Sequence, residues 1–82
     1  MINRIKEYTY DQEADAIYIT FSDKPVASTK ALDDMRVIDY AADGSAVGIE
    51  LLCVSEGVMT DDLPYVKDVS HLLEGIKVKI FA

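Results

Sequence analysis

The segment VIDYAADGSAVGIELL, residues 37–52, constrains this chain more than any other. Asp43-Gly44 sits between two apolar runs, and residues tolerant of positive φ at that point let two strands reverse direction over a very short loop. A hairpin is therefore expected. With Asp43 and Gly44 as the two loop residues, Ala42 pairs with Ser45, Tyr40 faces Val47, and Ile38 faces Ile49 on the core side. The same register sets Asp39 opposite Gly48 and Val37 opposite Glu50, which makes Asp39 and Glu50 diagonal neighbours on the other face, roughly 7–8 Å apart. A three-residue loop with a bulge would flip this pairing, because successive side chains point to opposite faces.

A second hairpin precedes it. Ala16 to Phe21 alternates Ile17, Ile19 and Phe21 with Ala16, Tyr18 and Thr20, a β-branched and aromatic pattern with both faces at least half buried. Ile5 to Tyr10 is its partner, joined through the polar DQEAD. Asp23-Lys24-Pro25 breaks the chain, and Val26 to Leu32 reads as a short edge strand. After Gly57 the period becomes helical: Tyr65, Val66, Val69, Leu72, Leu73 and Ile76 share one arc, opposite Lys67, Ser70, His71 and Glu74. The expected helix spans about residues 63–75, with Asp61 or Asp62 as cap, Pro64 in the first turn and Gly75 at a left-handed terminus. Residues 76–81, IKVKIF, read as a final strand whose Lys77 and Lys79 guard an exposed edge. The expected fold is α+β, a small antiparallel sheet of hairpins packed against one C-terminal helix in a single domain.

With 82 residues, such a domain buries only roughly 60–65% of its unfolded surface, so its core is thin and association with a second copy as a dimer is expected. The net charge of −7 repels phosphate backbones and anionic lipid, which argues against direct nucleic-acid or membrane binding. Residues 1–62 hold five Lys/Arg against thirteen Asp/Glu, whereas residues 63–82 hold three against two, so the negative charge belongs to the sheet region. Neither a signal-like segment in MINRIKEYTY nor a long apolar run is present, and a cytoplasmic location is expected. The single Cys53, inside GIELLCV, reads as a small buried hydrophobe.

YDQEADAIYI at residues 10–19, followed by VIDYAADGSAVGIELL, closely resembles the small bacterial and archaeal family known as domain of unknown function 2283. The similarity covers about residues 5–54. It implies a compact antiparallel α+β domain and assigns no activity; some relatives resemble partners of small toxin-like proteins. Residues from Ser55 onward lie outside it.

Asp11, Glu13 and Asp15 have the alternation of a calcium loop, but Ala16 stands where the sharp turn needs glycine and Ser22 where a bidentate Glu closes the site. A hairpin loop in which Asp11 accepts backbone amides is the better reading. Asp39 with Glu50, joined by Asp15 or Asp11 where the first hairpin lies beside the second, could hold a divalent metal or share a proton. A solvated acidic sheet face with Arg36 or a lysine nearby outweighs that alternative. His71 falls off the apolar arc, and no serine sits in a nucleophile-elbow pattern. Tyr8, Tyr10, Tyr18, Tyr40 and Tyr65 suit half-wet positions; two of them beside the carboxylates would anchor a protein interface. The residues expected to bind are thus Asp11, Asp15, Tyr18, Asp39, Tyr40 and Glu50, with no catalytic set and no cofactor. The partner is a second copy or a basic protein, in an antitoxin-like role or as a plain oligomer. The alternative is a carboxylate-based metal-dependent enzyme or small-ligand-binding domain.

Overall fold

The computed structural model describes residues 4–81. Five strands, β1 (Glu7–Asp11), β2 (Ala16–Thr20), β3 (Ser28–Asp33), β4 (Arg36–Tyr40) and β5 (Ala46–Leu52), form one antiparallel sheet in the order β1-β2-β5-β4-β3. A 3-10 turn (Val54–Glu56), a short β6 (Val58–Met59), α1 (Val66–Gly75) and a short β7 (Ile80–Phe81) follow. The architecture is α+β, as the pattern of hairpins and one helix implies. No helix among the described residues is long and apolar enough to cross a membrane.

The hairpin between β4 and β5 keeps its expected phase by an unexpected route. The loop has three residues: the Ala41 amide donates to the Ser45 carbonyl at 2.9 Å and the Gly44 amide to the Ala41 carbonyl at 3.0 Å, with Gly44 at φ 87°. The turn is closed by Asp43, whose carboxylate accepts the Ser45 amide and hydroxyl and the Lys24 ammonium. Those hydrogen bonds, Lys24 foremost, hold the Asp43 carboxyl well below the usual carboxylate range. Such a loop alone would invert every side chain beyond it. Contrary to the expectation that such a loop with a bulge flips the pairing, it does not, because Tyr40 pairs with Ala46 and Val47 is an extra residue, after which Asp39 faces Gly48, Ile38 faces Ile49 and Val37 faces Glu50. The expected Tyr40–Val47 pair is therefore replaced by Tyr40–Ala46, and the spare Val47 carbonyl accepts the Phe21 amide at 2.7 Å.

Ile17, Ile19, Ile38, Ile49 and Leu51 form the sheet side of one core, which Val54, Val58, Leu63, Val69, Leu73 and Val78 close from the other side. The helix supplies only Val69 and Leu73 in full; the segments before and after it share the cover. Arg36 ties these layers together. It lies on the core face, 7% exposed, and its guanidinium donates to the Asp33 carboxylate at 2.9 Å, the Met59 carbonyl at 3.0 Å and the Asp61 carbonyl at 2.6 Å. It is not near the acidic outer face, where the sequence suggested an accompanying cation.

The helix ends depart from expectation. It begins at Val66, not near residue 63, so Pro64 precedes its first turn and Asp61 and Asp62 stand too far upstream to cap it; the preceding residue is Tyr65 at φ 52° with no side-chain cap, and Asp61 lies beside Arg36. At the other end Gly75 is helical, and the left-handed residue is Lys77 at φ 64°. The Val78 amide reaches the Leu73 carbonyl at 2.9 Å and the Lys77 amide the Glu74 carbonyl at 3.1 Å, a Schellman ending in which the side chains of Val78 and Leu73 are both buried. Residues 76–78 are spent on that ending, so the expected strand over 76–81 shrinks to Ile80–Phe81. It pairs in parallel with β6 and does not extend the main sheet.

Two outcomes follow for stability in urea. Lys77→Gly, which removes a Cβ from a left-handed position, is expected to raise the unfolding free energy by about 0.5–1 kcal/mol. Arg36→Ala strands two carbonyl groups and is expected to lower it by roughly 2–4 kcal/mol.

Candidate functional site

The elements after β5 all pack on one face of the sheet, so alternation along each strand settles what the other face displays. Ile17 and Ile19 point to the core; Ala16, Tyr18 and Thr20 therefore point out. Register adds Glu7, Thr9 and Asp11 from β1, Gly48, Glu50 and Leu52 from β5, Val37 and Asp39 from β4, and Thr29 from β3.

Its centre is a hydrogen-bonded row across four neighbouring strands. The Tyr18 hydroxyl donates to Asp39 Oδ2 at 2.6 Å, and the Thr29 hydroxyl donates to Asp39 Oδ1 at 2.7 Å. Between Tyr18 and Asp39 lies Gly48, whose missing side chain makes room: a Cβ there would stand 2.4 Å from the Tyr18 hydroxyl oxygen and 2.8 Å from the Ile19 carbonyl. Glu50 pairs with Tyr18 on the β2 side and with Val37 on the β4 side. Burial first, then the hydrogen bond to Asp39 and the charges of Asp39 and Glu50, push the Tyr18 phenol up to about 12. Near neutral pH the phenol keeps its proton and serves as a donor.

The expected site is therefore split. Tyr18, Asp39 and Glu50 are brought together. Asp11 is at the end of β1, accepting the Ala14 amide at 3.1 Å, and Asp15 accepts the Ser55 amide and hydroxyl at 2.9 and 2.6 Å, which fastens the first hairpin to the 3-10 turn after β5. Tyr40 belongs to the core face, half buried against the interior. Among the described residues no three His, Cys, Asp or Glu side chains gather as a metal set. His71 is exposed on α1, and Cys53 is half buried at φ 54°, not enclosed as expected. Of the tyrosines, Tyr18 alone lies on the outer face; Tyr8 and Tyr10 are exposed on the helix side of the edge strand β1.

Two members were missed in the sequence. Gly48 carried a signal, since glycine inside a strand often marks close approach of another group. Thr29 carried none, because its neighbour across β4 depends on strand order. Elsewhere, a cavity of about 260 Å³ opens beside Met35, Leu52 and Met59 with Arg36 in its wall, but the guanidinium is already matched by Asp33 and Asp61.

These features define a class: a small α+β domain with one antiparallel sheet, covered on one side and presenting a tyrosine-carboxylate row on the other. Within it, the chain belongs to the family described as Protein of unknown function (DUF2283), whose profile matches residues 7–55, from β1 to the 3-10 turn. The match takes in the whole five-stranded sheet and leaves β6, α1 and β7 outside. No curated protein matches the chain, and no solved structure does.

A phenol whose folded-state pKa lies above the ordinary value of 10.0 adds stability that is complete below that value and fades as pH rises through about 12. Asp39→Asn is expected to bring the Tyr18 spectrophotometric titration down toward the ordinary value. Gly48→Ala should do the same while costing stability, because the ring must leave its place.

Proposed function

We propose that this domain is a protein-binding module whose outer sheet face receives a basic partner in the cytoplasm. The observation that carries the reading is the sign of that face. Its ionisable strand residues other than Tyr18 are Glu7, Asp11, Asp39 and Glu50, while the basic strand residues Lys30 and Arg36 register with the opposite face. Two more cations are occupied at the rim, Lys6 by Asp23 and Lys24 by Asp43. A single-signed face of this kind steers an oppositely charged protein and raises its association rate. The Tyr18 ring, held by Asp39, supplies the rigid aromatic contact that interface centres favour. An antitoxin-like role toward a small basic protein is one form of this reading.

Cross-linking of the tagged protein in its own host, followed by gentle purification, tests it. The cross-linked partner is expected to be basic and to attach through the outer face. It should dissociate, in uncross-linked samples, as salt rises from roughly 0.1 M to roughly 1 M and the screening length shrinks from about 10 Å to about 3 Å. The Asp39→Asn/Glu50→Gln double variant should bind it several-fold more weakly. A partner held equally well by the variant and at high salt would remove the reading.

A further inference from the structure

The two edges of the main sheet are unlike. β3 carries a register irregularity between Ala31 and Asp33, Lys30 near its middle and Pro25 just upstream, all devices that discourage another strand from pairing. β1 has none of them. Its five residues follow β2 in unbroken register, all five are exposed, and neither lysine nor proline interrupts Glu7 to Asp11. Lys6, just ahead of the strand, is turned aside to Asp23. Among the described residues nothing pairs with the far side of β1.

Alternation gives this edge a readable pattern. Glu7 and Asp11 stand four residues apart on the acidic outer face, and Tyr8 and Tyr10, 41% and 36% exposed, stand between them on the helix side. A strand laid antiparallel along β1 would continue the sheet, set its first and fifth side chains opposite Asp11 and Glu7, and set its second and fourth opposite Tyr10 and Tyr8. We propose that β1 is a docking edge for an extended segment of a partner protein, with Lys or Arg at the first and fifth positions and β-branched or aromatic residues at the second and fourth. The inference rests on the acidic-face reading above and adds to it a backbone ladder that the face alone does not supply. Charge selects this occupant over a second copy. Antiparallel pairing of β1 with itself centred on Thr9, the register that uses all five residues, would set Glu7 directly opposite Asp11 twice.

The test is a titration of isotope-labelled protein, followed by amide spectra, with three capped pentapeptides: Lys-Val-Thr-Val-Lys, Glu-Val-Thr-Val-Glu, and the lysine peptide N-methylated at its three central amides. The lysine peptide is expected to shift the amides of residues 7–11 and slow their exchange with solvent. The N-methylated form should lose this effect, because it cannot complete a ladder. A Glu7→Lys/Asp11→Lys variant, altered only at exposed side chains and checked by its own spectrum, should reverse the preference between the lysine and glutamate peptides by roughly fivefold to tenfold. Shifts confined to Tyr18, Asp39 and Glu50, or binding that survives N-methylation, would overturn strand addition and leave the acidic-face reading standing. Equal response to the two charged peptides, or none at millimolar lysine peptide, would overturn it as well. So would protection of the β1 amides that grows with protein concentration in the absence of peptide, since the occupant would then be a second copy.

Discussion

What the outer face displays depends on the phase of one ladder, that between β4 and β5. These are the strands that carry Asp39, Gly48 and Glu50, and β5 also sets the phase of β2 and hence of Tyr18. A slip of one residue between them would invert one strand against the other, sending either Asp39 inward and Ile38 to water or Glu50 inward and Ile49 to water, at the cost of a strand's buried aliphatic side chains. The loop that closes this hairpin has the length that produces such a slip, and Val47 undoes it. Its presence as an extra residue is stabilised from outside the hairpin, by the Phe21 amide that accompanies β2 into the sheet. Turn, bulge and third strand therefore act as one device, and the tyrosine-carboxylate row is its product.

The second half of the chain is fastened to that sheet at a few points of unequal kind. Val69 and Leu73 give the helix its share of the interior, but a helix of 10 residues with no side-chain cap has little stability of its own. Arg36 supplies what is missing on the approach to it by taking the carbonyls of Met59 and Asp61, which would otherwise be stranded as the chain leaves β6. Burial of that guanidinium is tolerable because Asp33 and the two carbonyls surround it. The segment outside the family match is thus anchored by a residue inside it.

Much of the architecture could be read in the sequence, for reasons that can be assigned. Alternation in AIYIT and in VIDY, the glycine after Asp43 and the helical arc of Val69, Leu72, Leu73 and Ile76 are local signals, and each produced the element it implied. What stayed hidden was decided by partners distant in sequence. Acidic density looked like one crowded surface, yet Asp15, Asp33 and Asp43 are turn residues that satisfy backbone amides and nearby donors, a role composition does not separate from display on a face. Arg36 had the parity of Ile38 and could have been placed on the core side by spacing alone; the reluctance to bury a charge argued the other way. Gly75 looked like the helix terminus, but the buried pair of Leu73 and Val78 moved the left-handed position to Lys77.

A face that is uncovered need not be loose, and the difference matters for binding. Association is opposed by the entropy of ordering side chains, so a surface whose groups are already fixed loses less when a partner arrives. On this sheet the ring of Tyr18 is seated over Gly48 and tied to Asp39, and Asp39 is held again by Thr29. Neighbouring positions are Ala16, Thr20, Val37 and Gly48, short or branched side chains with few rotamers to lose. Those bonds also limit what Asp39 can do as a base, because both of its oxygens already accept a hydroxyl. Glu50 and Glu7, exposed and free of such ties, are the groups on which the long-range attraction of the proposed basic partner rests. Rigid centre and charged surround are the arrangement that the proposed recognition surface calls for, with the raised Tyr18 phenol kept as a donor at its middle.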